Sequence, residues 1–230
     1  MKERPILMSG AMVRATLREV QPKTQTRRVV KLPHNNPLGQ WEPTIIGGPD
    51  GGRTAAGETV PLQGGIWHTR TGTSLICPHG QPGDRLWVRE TFQGPMWEEG
   101  TWDPDTDYNR PEFCEYRADG GPRPEYVDFE DNLHEGWKPS IHMPRWASRI
   151  TLEVTGVRVE RLQDISEEDA LAEGIRQQIC GWFSVPGIDG AGTTARAAFA
   201  LLWNSLNAAR GYGWDTNPWV WVIQFRRIKQ

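Results

Sequence analysis

Apolar positions recur along this chain in two periods. Met12, Val13 and Leu17 stand at helical spacing between Ser9, whose side-chain oxygen suits an N-cap, and Pro22, which ends the run. Phe199, Leu202, Trp203 and Leu206 fall at i, i+3, i+4 and i+7, which predicts a core helix over about 196–206. A further helix is predicted over 165–175: Ser166 is its N-cap, Glu167, Glu168 and Asp169 fill its first turn, and Gly174 stands near its end. Its apolar face carries Ala170, Leu171 and Ile175. Glu173 lies at the shoulder of that face, where it can look into a pocket.

The other period is two. Pro5 to Met8 reads as a short first strand, and Thr26 to Val30 as a second, with Thr26, Arg28 and Val30 on one face and Arg27 and Val29 on the other. Gly83-Asp84 turns into a strand from Arg85 to Phe92 that aligns Leu86, Val88, Glu90 and Phe92. From Ile150 to Leu162 the phase slips at Gly156, as at a bulge or bend in a strongly curved sheet. The closing segment, Pro218 to Arg227, is apolar on both faces at first. Between these elements, regions 32–83 and 94–139 lack sustained periodicity, apart from a short strand at Phe113 to Arg117, and read as two irregular insertions. The fold class is therefore α+β, and 1–230 reads as a single domain.

Composition narrows the picture only slightly. A net charge of -3 excludes a uniformly basic coat for nucleic acid, while Lys23, Arg27 and Arg28 still form a local basic cluster. No secretory leader follows Met1 and no apolar run approaches the roughly 20 residues of a membrane helix, so a cytoplasmic protein without membrane contact is expected. The three cysteines are widely spaced and odd in number, which argues against a disulfide framework. Cys77-Pro-His79 lacks a second ligand pair, so no metal and no cofactor are expected. Among twelve tryptophans, Trp87, Trp137, Trp146, Trp219 and Trp221 lie in strand-like or loop segments, where they either fill a core or offer a stacking surface for bases.

The chemistry concentrates in Lys23-Thr24-Gln25-Thr26-Arg27-Arg28, which sets an amine, two hydroxyls and two guanidinium groups within six residues. Catalysis by Lys23 requires a pocket that desolvates it or a neighbouring cation, because a free Lys has a pKa of about 10.4. An exposed basic loop is the alternative. Glu90, on an apolar strand face, is either the partner of a buried cation or part of a pocket. Ser140 to Trp146 mixes His142, Arg145 and Trp146 in one loop that either lines a ligand site or covers the end of the sheet. The glycines of Gly47-Gly48-Pro49-Asp50-Gly51-Gly52 do not make a phosphate loop, since no Lys-Ser or Lys-Thr follows at the needed spacing.

Taken together, these segments resemble the ASCH domain of the PUA-like superfamily, in the long form common among phage and prophage proteins. The carriers are the early helix with its Lys-Thr-x-Thr element, the Gly83-Asp84 turn and strand, the 165–175 helix, and Trp221-Val222-Ile223-Gln224-Phe225. The resemblance implies a small, strongly bent β-barrel with packed helices, and a cleft where the Lys-Thr-x-Thr segment meets the acidic helix. Some small bacterial members are amidohydrolases that remove the acetyl group of N4-acetylcytidine. Matching their motif implies Lys23 as base, Thr26 as nucleophile and Glu173 as proton donor, with Arg28, Glu90, His142 and Trp146 as substrate-binding candidates. The implied partner is a modified nucleoside or nucleic acid. The same resemblance supports a rival class, a non-catalytic module that binds RNA or modified nucleic acid.

Overall fold

Two long strands near the end of the chain organise the computed structural model, which describes residues 1–48, 53, 57, 59–97, 100–127, 132–185 and 190–228. In chain order the principal elements are β1 (Glu3–Leu7), α1 (Gly10–Leu17), β2 (Gln25–Val29), β3 (Trp41–Ile46), β4 (Gln63–His68), β5 (Ser74–Ile76), β6 (Arg85–Arg89), β7 (Thr151–Arg161), α2 (Glu167–Ala172), α3 (Ala195–Asn207) and β8 (Trp219–Ile228). The class is mixed α+β, as the two periodicities predict. No helix among the described residues is long and apolar enough to cross a membrane.

A five-stranded sheet runs in the order β1-β6-β7-β8-β2. β1 and β6 are parallel and the remaining pairs antiparallel. β7 and β8 pair along almost their whole length, and their register slips between Val154 and Gly156, where the sequence changes phase. Alternation along β8 then feeds two cores. Trp221, Ile223 and Phe225 join a cluster with Val13, Leu86 and Leu152, whereas Val220 and Val222 face a second cluster with Ala170, Phe199, Leu202 and Trp203 from α2 and α3. Each fully buried Val, Leu, Ile or Phe among them contributes roughly 1.5–3 kcal/mol relative to exposure.

The helices are capped as their sequences suggest. The Ser9, Ser166 and Thr194 side chains accept hydrogen bonds from the backbone N–H of Met12, Asp169 and Ala197, satisfying first-turn donors of α1, α2 and α3.

The α+β class holds, the expected barrel is seen only as an open sheet, and two expectations change. The main sheet is open among the described residues: β1 and β2 are its edges and share no backbone ladder, and the bond joining them is Arg28 Nη2 donating to Leu7 O at 2.6 Å. Region 32–83 is not irregular, because it contains the antiparallel sheet β3-β4-β5, whose Trp41 and Ile66 enter the first core. Its glycines are the reason it read as loop. A Cβ at Gly64 would stand 2.8 Å from Val157 O, so β4 lies closely on β7 only without a side chain there. The strand expected over 85–92 breaks after Arg89, and Phe92–Gln93 pairs instead with Glu115–Tyr116, leaving only two residues of the expected strand at 113–117. Pro49 to Gly52 lie outside the described residues.

Candidate functional site

Backbone hydrogen bonds fix the Lys-Thr-x-Thr segment where three elements meet. Lys23 N donates to Ala15 O of α1 at 2.9 Å, Thr24 N donates to Ala172 O of α2 at 2.9 Å, and Phe225 N of β8 donates to Thr24 O at 2.8 Å. Gly174 makes the approach possible. It sits in the left-handed region at φ +101°, and a Cβ on it would lie 2.8 Å from the Ala15 Cβ. This glycine ends the helix and turns Glu173, its C-cap residue, toward Lys23.

The result is a buried ion network spanning the two ends of the chain. Lys23 Nζ donates to Glu173 Oε2 at 2.5 Å and to Glu173 O at 2.8 Å. Arg27 Nη1 donates to Glu173 Oε1 at 3.2 Å, while Arg27 Nη2 bonds Glu160 Oε1 at 2.5 Å and Asp169 Oδ2 at 2.9 Å. Arg158 closes the outer side, with Nε on Glu160 Oε2 at 2.9 Å and Nη2 on Asp169 Oδ2 at 2.5 Å. Arg27 also stands over the Phe199 ring, 5.7 Å from its centroid. Lys23 and Glu173 are therefore brought together across 150 residues.

Burial, opposed by Glu173, pushes the Lys23 ammonium below its ordinary pKa. Burial also works against the charge of Arg27, but Glu173, Glu160 and Asp169 outweigh it and raise its pKa. Thr26 follows Lys23 by three positions and is fully buried; its Oγ1 makes no hydrogen bond. The amide nitrogen of Gln25, one residue before, is likewise without a partner.

Beside this network opens a cleft of about 1070 Å³. Arg27, Arg28 and Glu173 form part of its wall, and Phe199, Leu202, Trp203 and Leu206 of α3 give it an apolar side. Lys23 and Thr26 stand behind the wall rather than on it. Arg28 is half-buried, and burial lowers its pKa against the opposing pull of Glu173.

Three of the substrate-binding candidates belong elsewhere. Glu90 is buried, but Arg149 holds it in a two-point pair at 2.9 and 3.0 Å, so its partner is neither Lys23 nor Arg28. Burial raises the Glu90 pKa and Arg149 opposes the rise. Its neighbours Arg89 and Thr91 line the cleft, while Glu90 points to the opposite side. His142 is exposed and absent from the cleft wall, which takes Ser140 and Ile141 from its own turn. Trp146 packs on the satellite core of Phe92, Tyr116 and Met143. Of the tryptophans, Trp203 lines the cleft, and Trp87, Trp137, Trp146, Trp219 and Trp221 do not.

The sequence reading missed the acids Glu160 and Asp169 and the cleft residues His79, Lys31 and Arg210. Alternation along β7 offered a signal for Glu160, which shares the phase of Arg158. His79 lies in a turn with no periodicity, and burial together with Arg28 and Arg4 lowers its pKa to about 4. Among the described residues no group of His, Cys, Asp and Glu side chains is arranged to hold a metal. No protein-family model matches the chain, and no curated protein or solved structure is significantly similar to it.

Proposed function

We propose that the chain is an amidohydrolase acting on an acylated nucleoside or base of the N4-acetylcytidine type, built on a PUA-like bent barrel. The observation that carries this reading is the 2.5 Å bond between Lys23 and Glu173, buried against a cleft and three residues from an unpartnered Thr26 hydroxyl. The barrel is supported by the curved β7–β8 pair, by the close passage of β4 over β7, and by the Arg28 bond across the open seam.

The chemistry follows from the pair. A proton shifted along the Lys23–Glu173 bond leaves a neutral amine and a carboxylic acid, the two states that a base and a proton donor require. Burial lowers the pKa of Lys23 and so favours its neutral amine. The shifted proton leaves the lone pair of Lys23 Nζ facing Glu173 Oε2, and rotation about the Cε–Nζ bond turns that lone pair to accept the proton of Thr26. Thr26 Oγ1 then attacks the acyl carbonyl, the C–N bond breaks, and Glu173 protonates the departing amine. Water hydrolyses the Thr26 ester and the carboxylic acid leaves. Arg27, on the far oxygen of Glu173, stabilises the carboxylate that remains. Thr26 is paired with Ile223 on the face of β2 opposite Arg27 and Glu173, so turnover requires a local rearrangement of the Thr24–Thr26 backbone, not a side-chain rotation alone, to bring its unpartnered hydroxyl to Lys23. Incubation with N4-acetylcytidine and related acylated nucleosides, followed by chromatography, tests the reading: cytidine and acetate should appear, and Thr26→Val should abolish them.

A second reading is favoured by one observation. The cleft wall displays Arg28, Lys31, Arg89 and Arg210 while Thr26 lies behind it, which suits a module that binds RNA or modified nucleic acid without cutting it. Such a module would bind oligonucleotides with an affinity that falls steeply with salt and survives Thr26→Val.

A further inference from the structure

The charge of the cleft is unbalanced. Among its lining residues, Glu173 is the one acid, and its two oxygens are already taken by Lys23 and Arg27. Arg28, Lys31, Arg89 and Arg210 face the same space, and among the described residues none of them is ion-paired to a carboxylate. Arg89 donates from Nε to Met143 O and from Nη2 to Ile141 O, which fixes its position without neutralising it.

Arg28 is the most telling of the four. A guanidinium offers five N–H donors, and Arg28 uses one of them, on Leu7 O at 2.6 Å. It is half-buried, and the acid that offsets its charge, Glu173, is already bonded to Lys23 and Arg27, so its desolvation is only partly compensated. That cost falls when an anion arrives, and the planar fork of Arg fits two oxygens of a phosphate. His79 lines the cleft on the same side and is neutral near pH 7, so it adds a hydrogen-bonding ring without adding charge. Opposite them, Phe199, Leu202 and Trp203 supply the apolar surface that a base needs.

We infer that the ligand of this cleft carries a nucleotide phosphate, bound by Arg28 with His79 beside it and Lys31 and Arg210 at the rim. The inference rests on the cleft taking a nucleoside-type ligand, as in the proposed function, and adds that the unphosphorylated nucleoside is an incomplete one. The phosphate belongs either to a free nucleotide or to a single strand.

Calorimetric titration of the full chain with cytidine, cytidine 5′-monophosphate and a short oligocytidylate tests it. The monophosphate, or the strand alone if the strand is the natural source, should bind at least about 10-fold more tightly than cytidine. Arg28→Gln should abolish that preference and Arg28→Lys should keep part of it. Should Arg28→Gln fail to fold, the double variant Lys31→Gln/Arg210→Gln, at exposed positions, should still reduce the preference about 3-fold or more. Equal affinities for all three ligands, no binding by any, or a preference unchanged in folded Arg28→Gln protein or in the double variant would overturn the inference. Because the readout is binding, turnover of acetylcytidine without a phosphate preference removes this inference alone, whereas a phosphate preference without turnover removes only the hydrolase.

Discussion

The Thr26 hydroxyl has no hydrogen-bond partner and no exposure, and a buried group left unsatisfied costs about 1–3 kcal/mol. Thr26→Val keeps the shape and removes the unpaired oxygen, so thermal melting should show unchanged or increased stability, by up to about 1 kcal/mol, while turnover is lost. Glu173→Gln acts in the opposite sense. It leaves Lys23 and the Nη1 of Arg27 buried without their anion, and denaturant unfolding should report a loss of about 3–5 kcal/mol. His79 makes stability depend on pH. Its folded pKa, about 4, lies below the ordinary value of 6.5, so the unfolded chain binds more protons between them. Melting temperature should therefore fall as pH drops from about 6.5 to 4, the His79 contribution ending below about 4, and His79→Asn should flatten the slope in that window. At this scale Lys23 and Glu173, 150 positions apart, were legible only because the family resemblance pairs the motif with its helix. Glu90 was legible as a buried carboxylate in need of a cation, but Arg149, 59 positions away, was not, because only the folded chain brings them together.

Elements place these groups, and glycines set how closely the elements approach. Gly174 both ends α2 in the left-handed region and lets the helix touch α1, so Gly174→Ala should destabilise the protein by about 1–3 kcal/mol through backbone strain and a 2.8 Å contact with Ala15. Glu173 moves with it, and turnover should fall more than stability alone explains; activity measured well below the melting temperature separates the two. The helices were legible because caps and apolar spacing are local: predicted 196–206 became Ala195–Asn207. The sheet β3-β4-β5 was hidden because Gly64 and Gly65 read as loop residues, while in the fold they are small so that β4 can lie on the β7 backbone and against Leu75. The motif strand was read with its two faces correctly divided: Arg27 meets α2 and α3, and Arg28 reaches the opposite seam at Leu7.

At the scale of the molecule, the buried network joins residue 23 of the N-terminal half to Glu160, Asp169 and Glu173 of the other, so the site exists only when the whole sheet and both outer helices have assembled. That dependence explains why the constellation was visible as residue types and invisible as geometry. It also separates the account from a basic loop, since Lys23 is fully buried beneath a cleft rather than displayed on it. The most direct measurement is turnover of N4-acetylcytidine by wild-type and Thr26→Val proteins, read by chromatography alongside their melting temperatures. Cytidine and acetate are expected from the wild type and none from Thr26→Val, with a variant melting temperature equal to or above that of the wild type. A folded wild type that leaves acylated nucleosides intact, or a Thr26→Val protein that retains the rate, would contradict the proposed hydrolase.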